Sequence, residues 1–125
     1  MKIQESAENY LEKILMLSEK MPAVRSIDVV AELGFSKPSV SIAMKKLREN
    51  GYVVFDEEGH ITLTEAGMTI AQRMYERHML LSRFLIAIGV TEETAKEDAC
   101  RMEHVLSEET FEALKNHIRG EHPEL

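Results

Sequence analysis

Between Ser26 and Leu63 the chain alternates apolar runs with punctuation in an order that few folds accommodate. Asp28-Val29-Val30-Ala31-Glu32-Leu33 is a short helical stretch. Ser26 suits its N-cap, because a hydroxyl there accepts a first-turn amide. Gly34 terminates it, since glycine takes the left-handed conformation at little cost. Pro38 fits the first turn of the next helix, where no amide hydrogen is needed. Val40, Ala43, Met44 and Leu47 then recur at helical spacing up to the stop signal Asn50-Gly51. Two helices joined by a tight glycine-containing turn form a helix-turn-helix. Tyr52-Val53-Val54-Phe55 and His60-Ile61-Thr62-Leu63 flank the polar turn Asp56-Glu57-Glu58-Gly59, which predicts a β-hairpin. A helix-turn-helix followed directly by a hairpin is the order of a winged helix.

The flanks read as helix. Tyr10, Leu11, Ile14, Leu15 and Leu17 predict a first helix from about Glu5 to Glu19, capped by Ser6 or Gln4 and ended by Met21-Pro22. Thr64-Glu65-Ala66-Gly67 opens a long helix that reaches Ile88-Gly89. Thr91 caps a fifth helix through Val105 or Leu106, and Ser107 a sixth to about Ile118, with Gly120–Pro123 frayed beyond it. The expected fold is mainly α: an N-terminal winged helix-turn-helix over residues 1–63, then a helical dimerisation domain over 64–125. Leu80, Leu81, Phe84, Leu85 and Ile88 exceed what one small core needs, and a homodimer interface is their outlet.

The 125 residues carry a net charge of −7, which argues against a nonspecific nucleic-acid coat. The charge is uneven. Residues 1–63 hold 8 basic and 10 acidic side chains, residues 64–125 hold 7 and 12. Ser36–Arg48 holds Lys37, Lys45, Lys46 and Arg48 and no acid. Ser39, Ser41, Lys45 and Arg48 lie across the helix from the apolar stripe. Small hydroxyls permit close approach to a duplex and cations neutralise phosphates. The expected face for double-stranded DNA is therefore Ser36, Lys37, Pro38, Ser39, Ser41, Lys45, Lys46 and Arg48. Ser36–Lys46 has no Asn, Gln or Arg, so its hydrogen-bond code for bases is thin. The acidic tip Asp56-Glu57-Glu58 argues against a phosphate contact there, and His60 beside it reads as solvated. No apolar run approaches the length of a membrane span and no signal peptide is visible, so a cytoplasmic location without membrane contact is expected. The single cysteine forms no internal disulfide.

That cysteine opens Cys100-Arg101-Met102-Glu103-His104, which sets a thiol, a carboxylate and an imidazole at i, i+3 and i+4. Those spacings share one helix face, and the three groups make most of a transition-metal site. The plain alternative is a packed cysteine beside a solvated Glu-His pair. His78 on the long helix, and Asn9 with Glu12 on the first, are further candidates if the first and fifth helices meet.

With these segments the chain resembles the diphtheria-toxin-repressor family of metal-dependent transcription regulators, which includes the manganese transport regulators. The resemblance runs from about Ser6 to Ile118. Its carriers are Glu8-Asn9-Tyr10-Leu11-Glu12, Ser36-Lys37-Pro38-Ser39-Val40-Ser41, Leu63-Thr64-Glu65-Ala66-Gly67, Arg77-His78 and Ala99–Ser107. It implies a homodimeric repressor of metal-uptake genes, of the shorter two-domain architecture, with metal between the domains favouring operator binding. The regulatory ligands would be Asn9, Cys100, Glu103 and His104; Asn9 departs from the usual Met or Asp. A second ion would use Glu12, His78 and Glu103, giving one or two ions per subunit. The ancillary site of the iron regulators is mostly lost, with Ser82 and Lys96 at its expected Glu and His.

A thiolate favours softer ions than the all-oxygen sites of Mn2+, which places Fe2+ ahead of Mn2+, with Zn2+, Co2+ or Ni2+ able to bind in vitro. Ligand deprotonation makes affinity fall at low pH. A winged-helix regulator answering an organic ligand is the alternative. A metalloenzyme lacks support, because no general base accompanies the ligands.

Overall fold

The punctuation between Ser26 and Leu63 produces the elements it predicts. A computed structural model describes residues 5–125. It contains α1 (Glu5–Lys20), α2 (Ser26–Leu33), α3 (Lys37–Glu49), β1 (Val53–Phe55), β2 (Ile61–Leu63), α4 (Glu65–Ala87), α5 (Glu92–Val105) and α6 (Glu108–Glu121). The chain divides into two compact units, one ending at Arg73 and the other beginning at Met74. Among the described residues no helix is long and apolar enough to cross a membrane. Gln4, an expected cap, lies outside the described residues, and Ser6 sits inside α1.

In the first unit α2 packs on both α1 and α3. Its N-cap is Arg25 and not Ser26, because Asp28 Oδ2 accepts the Arg25 amide at 2.9 Å and draws the helix start back one residue. Gly34 ends α2 at φ 71°, its amide returning to the Val30 carbonyl at 2.9 Å. Ser36 Oγ accepts the Ser39 amide at 3.3 Å to start α3, with Pro38 in the first turn. Val40, Met44 and Leu47 are the buried stripe of α3.

The hairpin pairs Val53 with Leu63 and Phe55 with Ile61; Val53 and Ile61 face inward while Val54 is exposed. Two strands alone are marginal in water, and here a third segment joins them. The Ile61 amide donates to the Val24 carbonyl at 2.7 Å, and the Arg25 guanidinium donates to His60 Nε2 at 3.2 Å. His60 is therefore fastened rather than solvated, with Nδ1 3.0 Å from Asp56 Oδ2. Asp56 also accepts the amides of His60 and Glu58. Those bonds, the His60 amide foremost, hold its carboxyl below the usual carboxylate range.

In the second unit Leu80, Phe111 and Ile118 form a core against which Phe84, Leu106, Leu114 and Leu125 pack. Leu80, Leu81 and Phe84 thus serve the subunit's own interior, and the apolar side chains left exposed are Ile86, Ile88 and Val105. α6 outruns its expected end at Ile118 and continues to Glu121. The tail is not frayed: the His122 amide bonds the Ile118 carbonyl at 2.7 Å, the His122 ring meets Phe84 edge-on at 6.1 Å, and Leu125 joins the core.

Thr91 and Ser107 cap α5 and α6 as their sequence positions predict, with Ser107 Oγ accepting the Thr110 amide at 3.1 Å. Ser107→Ala should cost about 1 kcal/mol and Ser107→Gly only a few tenths; urea unfolding of the two variants would read that order, and equal losses would remove the capping explanation.

Candidate metal centre and basic helix

α5 presents its ligands on one side because Cys100, Glu103 and His104 fall within a single turn of each other. Their ligand atoms all lie within 4.8 Å of one another. Glu103 is the centre of the arrangement. Its side chain is fully buried, with Oε1 3.4 Å from His104 Nε2 and Oε2 3.1 Å from His78 Nδ1. One carboxylate therefore faces two imidazoles, one from its own helix and one from α4. Cys100 is half-buried. A thiol, a carboxylate able to use both oxygens, and two imidazoles suit a divalent transition-metal ion, and their proximity in a buried setting fits that use.

In the first unit, Asn9 and Glu12 stand one turn apart on α1. Glu12 is buried, and Asn9 Oδ1 is a buried carbonyl oxygen with no hydrogen-bond partner among the described residues. A buried acceptor left unmatched is costly unless something else occupies it. Ser82 and Lys96 offer no second ligand group. Ser82 donates to the Met79 carbonyl at 3.3 Å, and Lys96 bonds Glu92 at 2.8 Å, which holds the Glu92 carboxyl below its usual range.

Arg77 is a supporting residue whose role the sequence did not disclose. Its buried guanidinium donates to the carbonyls of Glu103 at 2.9 Å and Leu106 at 2.7 Å, and it lies over the Phe111 ring at 5.0 Å. It thereby pins the backbone of Glu103 and the end of α5. An arginine beside His78 was visible in the sequence, but nothing in its spacing pointed to carbonyls 26 and 29 positions away.

The basic helix is open. Ser36, Lys37, Pro38, Ser39, Ser41, Lys45, Lys46 and Arg48 are all exposed. Ser36 is committed to its cap and donates to Ser39 Oγ at 2.8 Å. Arg48 leans over the Phe55 ring of β1 at 5.5 Å, which places its charge beside the wing.

Two family models account for nearly the whole chain. The N-terminal DNA binding domain of the iron dependent repressors matches residues 2–61. Their metal binding and dimerisation domain matches residues 64–124. An uncharacterized HTH-type transcriptional regulator of Methanocaldococcus jannaschii is 36% identical over 90% of this chain and 92% of its own length. The transcriptional regulator MntR of Escherichia coli O157:H7 is also 36% identical, over 90% of this chain and 72% of its own. The solved structure of the manganese regulator SloR superposes with a TM-score of 0.80 at 28% identity, covering 95% of this chain; the match spans about half of that longer protein, 55%.

Proposed function

The chain belongs to the iron-dependent repressor family of metal-dependent transcriptional regulators, and on that premise we propose that it is a homodimeric repressor of metal-uptake genes whose operator affinity rises when a divalent metal binds. The observation that carries this reading is Glu103, buried and facing both His78 and His104, in a chain whose other unit is a winged helix with an exposed basic helix. A regulator of organic ligands has no need for that constellation.

Cys100, Glu103, His104 and His78 are the proposed ligands on α4 and α5. Asn9 and Glu12 are proposed as further ligands on the strength of the family resemblance and of the unmatched Asn9 oxygen. A bound divalent ion supplies a concentrated positive charge and fixed ligand directions. The protein's own share is to hold deprotonated donors ready and, through Arg77, to fix the backbone from which Glu103 projects. We propose Fe2+ ahead of Mn2+ because the Cys100 thiol is a softer donor than oxygen; anaerobic calorimetry with each ion alone would test the order and give the stoichiometry, and tighter Mn2+ binding would reverse it.

Metal acts on DNA binding only through different affinities for two states, so operator and metal must strengthen each other by the same factor. A change of about 5- to 150-fold is the usual range of such coupling. Fluorescence anisotropy with operator DNA should therefore show tighter binding with Fe2+ or Mn2+ than with chelator, and equal binding would sink the proposal. Lys46→Ala should lower the slope of affinity against salt by about one counterion per subunit, about two per dimer, without altering the metal response. An unchanged salt slope would take Lys46 out of the interface.

A further inference from the structure

α3 exposes one large apolar side chain among the described residues, and it sits in the middle of the basic face. Ile42 is 59% exposed. At 3.6 residues per turn it points away from the buried line of Val40, Met44 and Leu47. Pro38 lies one turn before it on the same ridge, and the exposed Lys45 and Lys46 follow on either side.

A lone exposed isoleucine is by itself ordinary. Its neighbours make this one informative. The exposed groups around it are hydroxyls, a proline ring and lysine ammoniums, with no amide side chain among them to read adenine by its bidentate contact. The lysines serve phosphates, which position a protein without reading sequence. The one large apolar group at the centre of the face is the branched side chain of Ile42. In the major groove the only apolar base-edge group is the C5-methyl of thymine.

We propose that Ile42 is a specificity-determining residue and that it reads a thymine methyl in each operator half-site. The inference rests on α3 being the DNA-binding helix, and it adds one element of what that helix recognises, a methyl group.

The test needs no known operator. The full chain with Mn2+ is used to enrich duplexes from a random pool, and each thymine of the enriched site is then replaced singly by deoxyuridine, which removes only the methyl. One thymine per half-site should matter. Its loss should weaken binding about fourfold, the size expected for one buried methyl group, and about fifteenfold when both half-sites are changed. Ile42→Ala should bind the thymine site more weakly and should no longer distinguish thymine from deoxyuridine. Because Ile42 is exposed, the variant should melt with the wild type, so the loss is not one of folding.

Sites at which no deoxyuridine weakens binding would overturn the proposal, as would an unchanged deoxyuridine penalty in Ile42→Ala or a pool that enriches nothing. Equal binding with chelator would sink the metal-dependent reading instead, and the deoxyuridine scan in the same samples would still decide the role of Ile42.

Discussion

Glu103→Gln should erase the metal response while leaving the protein folded. The substitution keeps the volume of a fully buried side chain but changes what it offers. A carboxylate presents an oxygen to each of His78 and His104. A glutamine has one oxygen and no charge, so it cannot serve both positions or balance a divalent ion. For the wild type, metal at a hundredfold excess over its dissociation constant should stabilise the fold by about 2.7 kcal/mol. At about 4 °C per kcal/mol for a chain of this length, that is a rise of about 10 °C in melting temperature. The variant should rise by less than about 2 °C, and its operator affinity in metal should fall to that of the metal-free wild type. Differential scanning fluorimetry beside anisotropy reads both. A variant that keeps the full rise would move the centre away from Glu103.

The second large effect is expected far from any ligand. Gly67→Ala places a methyl where no room exists: its Cβ would overlap the carbonyl oxygen of Tyr52, lie 3.0 Å from the carbonyl carbon and 3.4 Å from Leu63 Cδ2. The obstacle is backbone, so no side chain can swing aside. That carbonyl accepts the Thr64 amide at 3.0 Å, while Thr64 Oγ1 donates to the Gly51 carbonyl at 2.6 Å and accepts the Gly67 amide at 3.2 Å. Pushing Tyr52 away disturbs the junction from which both β1 and α4 depart. Helix propensity alone predicts the opposite sign, since alanine is favoured over glycine by about 1 kcal/mol inside a helix. Overpacking costs about 1–3 kcal/mol, backbone shifts included, so after the propensity gain a net loss of about 1–2 kcal/mol is expected for so close an overlap. Urea unfolding decides between them. Any gain in stability would show that the first turn of α4 yields freely.

Where local chemistry governs, the sequence was sufficient. Gly34, Asn50-Gly51, Thr91 and Ser107 each mark a helix end with a group whose hydrogen bond or backbone conformation forms within a few residues. The clustering of Cys100, Glu103 and His104 on α5 is legible for the same reason. What spacing cannot convey is partnership across the chain. His78 reaches Glu103 over 25 positions and Arg25 reaches His60 over 35. The first pairing was foreshadowed by family resemblance; the second was not, and His60 was accordingly misread. The late end of α6 has a similar cause, since Gly120 alone suggests a stop while the packing of Leu125 and His122 lies outside a helix's local code. The start of α2 moved by one residue because Asp28 competes with Ser26 for the role of closing the first turn.

The position of Glu103 between two histidines also has a consequence for how such a sensor responds to mutation. The residue that both imidazoles share is sealed from solvent, whereas Cys100, which carries the soft donor, is only half-buried. A mutation at Glu103 touches both imidazoles at once, but one at Cys100 alters a single proposed donor. On the proposed assignment, a change at Cys100 alters which ion is answered, whereas a change at Glu103 decides whether any ion is.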